Sequence, residues 1–467
     1  MTDLFRPPAP EPPENPPPFR TRMRMVRTNA LQLWSRRAYE DDVIDQSLLG
    51  RSAFLLNDPL AIHHVLVEHP ENYRRSAASI RILRPITGAG LLLSEGESWR
   101  LQRRTIAPAL APRSLPLLLR HVVTATDEAV TDLMAQPGPI SLLASLHNLT
   151  LEIAGRSMFS METHSFGPEL RAHLADYATK MARPHMLDML LPDAIPAPLD
   201  FPRYLFHRRW MGFIARIIAA RLTSPPPQTP RDLFDLLRAA RDPETGRAFT
   251  PAELRDQVAT LILAGHETTA VALFWSLFLL ANTPDIQEKI ATEAAAIAIT
   301  PANAAGMVER LPNTRAVLSE ALRLYPPAFT LVRQSKVRDR IGTLGIPKGS
   351  IVMIAPWVLH RHKKLWANPD HFDPSRFLPG APPIPRFAYL PFGAGPRVCV
   401  GAQFALAEAT LVLASLVRSF HVALEPGEAV NPVAVITTQP DHPALFRLTP
   451  RADAPVSLST PIARAAA

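Results

Sequence analysis

A single cysteine, Cys399, serves all 467 residues, so no intramolecular disulfide can form and a disulfide scaffold is excluded. Glycine is scarce at 19 residues, which rules out collagen-like and glycine-rich flexible chains. Lysine is nearly absent: six of the 50 basic residues are Lys, and the net charge of +8 rests on arginine. The basic residues never form runs of five or six, so the charge gives no nucleic-acid stripe, and no nucleic-acid partner is expected. Long apolar runs are missing as well. The nearest candidate, Thr268 to Ala281, has 14 residues, the length of a buried helix rather than the ~20 of a membrane span. The N-terminus places Asp3, Glu11 and Glu14 where a secretion signal would be apolar. These absences predict a cytoplasmic chain with no membrane span.

Hydrophobic residues make up 47% and charged residues 20%, enough to bury a large core. Proline, at 50 residues, is about twice its usual ~5% share. Eight of them lie in residues 1–19, where repeated proline fixes φ and removes backbone donors, giving an extended arm that reads as a plain tail. Residues 20–451 read as one domain, and 452–467, rich in small residues, as a flexible tail. Pro225, Pro226 and Pro227 mark a loop between helices.

Most of the interior has helical periodicity. The clearest helix opens at Thr250-Pro251-Ala252-Glu253, a capping box with proline at the first helical position. It can run to Ala281, with Pro284 as a stop. At 1.5 Å per residue that is about 46 Å, against a radius of gyration near ~23 Å for a chain of this length. A helix so long and so apolar has to be central. Strand character is confined to short stretches. Ile341 to Ile354 reads as a hairpin turning at Pro347-Lys348-Gly349, with Arg333 to Val337 as its neighbour. The fold class is mainly α with a small β region.

Cys399 sits in Pro391-Phe392-Gly393-Ala394-Gly395-Pro396-Arg397-Val398-Cys399-Val400-Gly401, just before an amphipathic helix from Ala402. Free N–H groups and the positive dipole end there favour thiolate, and the glycines let a planar group approach closely. An inert buried cysteine is the other reading of this segment. The loop resembles the haem-binding signature of the cytochrome P450 family, in which the thiolate is the axial iron ligand. The resemblance extends from about Asp58 to Pro440, with the family's elements in order. It is closer in style to the fatty-acid-hydroxylating branches than to the camphor type.

The resemblance implies haem b as cofactor, Cys399 as its ligand, and roles for ten further residues. Ala264-Gly265-His266-Glu267-Thr268-Thr269 is similar to the oxygen-activation motif. There Ala264 leaves room beside the iron, Thr268 bonds back one turn to the Ala264 carbonyl, and Glu267 supplies a proton. A zinc-protease reading of His266-Glu267 fails, because the second histidine it needs is Ala270. Trp99, Arg103, Arg333 and Arg397 would hold the propionates. Glu320 and Arg323, three apart on one helical face, would join Arg376 in a structural network. The other histidines show no metal spacing, and neither a phosphate loop nor a Ser/His/Asp arrangement stands out.

The family activity so implied is monooxygenation: one oxygen atom of O2 enters a C–H bond of an apolar substrate, a fatty acid, an alkane or a terpenoid. By family position the pocket is lined by Ile80 to Leu93, Thr260 to Ala264 and Pro327 to Val332, and long chains are preferred. Electrons would come from a separate ferredoxin or flavodoxin with its reductase, docking on Arg100, Arg104 and Arg113. A monomer is expected. The rival readings are a peroxygenase or isomerase, which would tend to lose the Glu267-Thr268 pair, and a haem sensor without turnover.

Overall fold

The computed structural model describes residues 4–47, 50–161, 166–191, 195–223 and 227–452. The expected flexible tail beyond residue 452 and Pro225 and Pro226 of the inter-helix loop lie outside them.

The helix Pro251–Ala281 forms as its sequence requires. The Thr250 side chain accepts from the Glu253 amide at 3.2 Å, and Glu253 accepts from the Thr250 amide at 2.8 Å, so two amides left free at the helix start are satisfied reciprocally. Pro284 does more than stop the helix: it is the first residue of the next, Pro284–Ala295. From Thr269 to Leu280 every residue of the long helix is buried, and helices 142–159, 312–324, 402–419, 200–222 and 77–87 surround it. Trp275 stacks on Tyr325 with ring centroids 3.9 Å apart and donates Nε1–H to the Thr438 carbonyl at 2.7 Å. Truncating a tryptophan buried this fully costs about 3–5 kcal/mol. Helices 251–281 and 402–419 are each long and apolar enough to span a membrane, which the shorter run read from sequence did not reach. In both, 67% of the apolar window is buried against protein.

The main sheet has five short strands in the order 43–45, 53–56, 351–354, 331–335 and 73–74. Ile351–Ile354 pairs antiparallel with Leu331–Ser335, placing Arg333 opposite Val352, and parallel with Ala53–Leu56. The expected pairing of the Arg333 segment therefore holds, but the expected hairpin does not. Asp339–Ile341 pairs instead with Leu344–Ile346, across a turn that begins at Gly342 with φ +55°. Gly342 is free to take that left-handed conformation. Pro347 has no N–H to continue a ladder, and its carbonyl is taken by the Ser335 and Ser350 hydroxyls at 2.7 and 2.6 Å.

The proline-rich arm is docked rather than free. Pro7 is buried, and Phe5 packs on the core. The arm's carbonyls, which polyproline geometry leaves unbonded, accept from the chain behind them. Phe5 O takes the Phe372 amide at 2.9 Å, Pro8 O the Tyr325 hydroxyl at 2.8 Å, and Pro13 O the Arg36 amide at 2.9 Å.

Candidate active site

The cysteine loop is tight for a reason visible at two glycines. Gly393 and Gly395 have φ of +72° and +70°, and a Cβ on Gly395 would lie 1.8 Å from the Leu66 carbonyl oxygen. The Cys399 amide donates to the Phe392 carbonyl at 3.0 Å, closing the loop. The Cys399 side chain is exposed by accessible area yet enclosed by protein on most sides. Burial pushes its thiol up, and the Gly401 amide and the Arg103 charge oppose that only in part. The helix-start effect expected from the sequence is present, but desolvation exceeds it. A thiol in such surroundings is deprotonated by coordinating a metal cation.

Helix 402–419 packs against the long helix. Ala264 of the long helix is exposed, between turns that are otherwise largely buried. Its neighbour Leu263 and Val400, next to Cys399, are both partly buried and pack against one apolar cluster. Thr268 Oγ1 donates to the Ala264 carbonyl at 2.5 Å, the back-bond expected from the spacing. Glu267 is engaged elsewhere: its Oε1 accepts from Thr437 Oγ1 at 2.6 Å and Gln439 Nε2 at 2.7 Å. His266 is buried and donates Nε2–H to the His147 carbonyl at 3.1 Å. Burial, with His147 alongside, lowers its pKa to about 3, so it ties the long helix to helix 142–159 as a neutral ring.

The four expected propionate residues converge on one another. The Arg397 guanidinium lies 4.5 Å over the Trp99 ring and pairs with Glu95. Arg103 donates to the Val398 carbonyl at 2.7 Å, gripping the residue before Cys399. Arg333 is enclosed by protein, and burial followed by the Arg397 charge lowers it to about 10. Sequence reading missed Arg75, which burial and then Arg333 and Arg397 lower to about 9. Its Nε is buried with no hydrogen-bond partner. Three clustered guanidiniums thus share one nearby carboxylate, Glu95, and one donor is unused. Such a site asks for added carboxylates, and the two propionates of haem fit that need.

Beneath the cysteine loop the Glu320–Arg323 pair is closed. Arg323 reaches both Glu320 oxygens at 2.6 and 2.7 Å and three backbone carbonyls, those of His360, Pro369 and His371. Arg376 Nε lies 3.4 Å from Glu320 Oε1. His360, set aside in the sequence reading, links the network to the loop. It accepts the Leu390 amide on Nε2 at 2.8 Å, so Nδ1–H donates to the Arg323 carbonyl at 3.2 Å. Burial, with Arg323 close by, lowers it to about 3.

Two other expectations change. Arg100 pairs with Glu97, and Arg104 with Asp242 and Glu244, so the proposed basic docking patch is largely neutralised by the chain's own acids. Arg113 alone of the three is exposed without a recorded ion pair among the described residues. Residues of the segment Ile80 to Leu93 border a cleft, formed by Ile80, Arg84, Gly88, Ala89 and Leu93 together with Ser94, Glu95 and Ser98. The segment is stapled to the long helix where the Ala89 amide donates to Asp256 and the Leu91 amide to Gln257, both at 2.9 Å. The other two expected segments do not border this cleft.

The tight cysteine loop, the exposed Ala264 of the long helix and the arginines that share Glu95 are the elements of the site. The chain matches the cytochrome P450 family over residues 12–443 and belongs to it; it is a cytochrome P450 monooxygenase with a haem cofactor. It is similar to the cyclooctatin synthase of Streptomyces melanosporofaciens, 31% identical over 87% of this chain and 89% of that one. The same organism's cyclooctat-9-en-7-ol 5-monooxygenase is 28% identical over 83% of each. The crystal structure of the cytochrome P450DA heme domain shares the fold, with a TM-score of 0.79 at 24% identity, over 96% of this chain and 99% of that one.

Proposed function

We propose that the chain binds haem b and hydroxylates an apolar substrate at a C–H bond, with electrons from a separate cytoplasmic ferredoxin or flavodoxin and its reductase. The Thr268–Ala264 back-bond, on the one exposed notch of the buried helix, is the observation that carries this reading. Haem, when bound, supplies dioxygen binding and the oxidising power. Cys399 ligates it, while Arg75, Arg333, Arg397, Arg103 and Trp99 hold its propionate edge. Ala264 leaves space beside it, and Thr268 presents its hydroxyl to a proton path. Glu267, held through Oε1, keeps Oε2 to carry the proton inward.

Reconstitution with a ferredoxin chain tests this: NAD(P)H consumption should depend on substrate and yield hydroxylated product. Thr268→Ala should divert reducing equivalents to peroxide, and Glu267→Gln should slow turnover by about 10²-fold. Unchanged coupling in Thr268→Ala would remove Thr268 from the mechanism. Substrate-independent NAD(P)H use without product would favour the sensor reading.

The substrate divides on Arg84, exposed in the cleft that Glu95 also lines, with no ion pair to Arg84 recorded among the described residues. A cation there suits a fatty-acid carboxylate, whereas one relative is named for cyclooctat-9-en-7-ol. An optical spin-state titration with a long-chain fatty acid and a terpenoid alcohol decides between them. A fatty-acid response lost in Arg84→Ala supports the long-chain reading. A response to the terpenoid alone overturns it.

A further inference from the structure

The helix that begins at Pro59 changes pitch at His64 and runs to Glu68 as a π-turn, closed by the His69 amide on the His64 carbonyl at 2.9 Å. In an α-helix, residues five apart face different directions. A turn bonded five apart brings them back to one side. That is why 64, 68 and 69, which show no metal spacing as a sequence, converge in space. One ligand atom from each of His64, Glu68 and His69 lies within 4.8 Å of the others, and the two imidazole centroids are 4.5 Å apart.

The orientation of His64 carries the argument further. Its Nε2 is 3.2 Å from Asp339 Oδ2. The same carboxylate oxygen accepts from the Tyr73 hydroxyl at 2.8 Å and from Asn72 at 3.3 Å, which fixes its position. With Nε2 turned to that carboxylate, Nδ1 is the ring nitrogen left to face another partner. It lies 3.7 Å from Glu68 Oε2. Carboxylate to imidazole to metal is the arrangement that fixes a ligating histidine.

We propose that His64, Glu68 and His69 bind a divalent transition metal of the zinc type, with Asp339 as the residue that orients His64 and water completing the shell. Imidazole and carboxylate suit such an ion. Bond lengths of about 2.0–2.2 Å require the three ligand atoms to draw closer. The side chains of Glu68 and His69 are 50% and 47% exposed and can move to do so. Glu68 would exchange its present contact with His63 Nδ1, at 3.1 Å, for the metal. The site lies outside the haem pocket but touches it, since the Leu66 carbonyl inside this turn is what Gly395 of the cysteine loop rests against.

The test uses the haem-loaded full chain, stripped with a chelator and titrated with Zn2+ against a chromophoric chelator. One equivalent should bind. His69→Ala and Glu68→Gln should each weaken it at least about tenfold, and Asp339→Asn by about 10–100-fold. His442→Ala, which alters another histidine lying against acidic side chains, should leave it unchanged. His69 is on the surface, so equal zinc-free melting of wild type and His69→Ala shows that the fold is intact. Zinc affinity unchanged in both His69→Ala and Glu68→Gln, or no binding at one equivalent, overturns the site.

Discussion

Two groups of arginines flank Cys399, and they are built in opposite ways. Arg323 uses all five of its N–H donors, two on Glu320 and three on backbone carbonyls. Arg75, Arg333 and Arg397 share Glu95, and the Arg75 Nε has no acceptor. Arg323 is fully buried, whereas Arg75, Arg333 and Arg397 are half-buried. The two places also differ in how far the guanidinium donors are met, and an unmet buried donor costs stability until something meets it.

The largest expected effect comes from breaking the closed group. Arg323→Ala should destabilise the haem-loaded protein by about 3–5 kcal/mol, since it leaves the buried Glu320 with Arg376 at 3.4 Å as its one remaining cation among the described residues. Denaturant unfolding measures this, and a loss below about 1 kcal/mol would show that the network is not structural. Glu408 sharpens the comparison from the other side. It is buried on helix 402–419, no ion pair to it is recorded among the described residues, and burial raises it from 4.5 to about 8. Between those values the unfolded chain releases a proton that the folded chain keeps. Stability therefore falls as pH rises through this window and levels off above it, with a loss of roughly 3 kcal/mol by pH 7. Glu408→Gln should remove that slope, and parallel pH profiles of the two proteins would refute it.

The open group should respond differently. Arg75→Gln should speed haem loss to an acceptor globin by about 10–100-fold, the worth of one charge-assisted hydrogen bond, while leaving the haem-free fold no less stable. Equal haem retention would remove Arg75 from the propionate site. The smallest effect belongs to the surface. Arg104→Gln should change the salt dependence of reduction by a ferredoxin less than Arg113→Gln does, because Asp242 and Glu244 already neutralise Arg104.

What the sequence made legible follows the range of the interactions. The long helix was readable to both ends, since its capping box and prolines act within four residues. The Thr268 back-bond and the Glu320–Arg323 pair are also set by one helical turn. Arg75 was not readable, because only the sheet and the cysteine loop bring residues 75, 333 and 397 together. The acids that neutralise Arg104 lie at 242 and 244, far along the chain. The hairpin was misplaced because Pro347-Lys348-Gly349 carries a stronger turn signal than Gly342-Thr343, and only the paired strands show which is used. His360 lay in plain view, but its role needs both the Leu390 amide and the Arg323 carbonyl in place.

The docked arm acts as a strap across the residues behind it. Pro8 supplies the only recorded hydrogen-bond acceptor for the Tyr325 hydroxyl among the described residues, and Tyr325 is fully buried between Trp275 and Trp357. Trimming the first ten residues for expression would thus strand a hydroxyl two positions from Arg323, a cost of about 1–3 kcal/mol. A cut made far from Cys399 would loosen the floor beneath it.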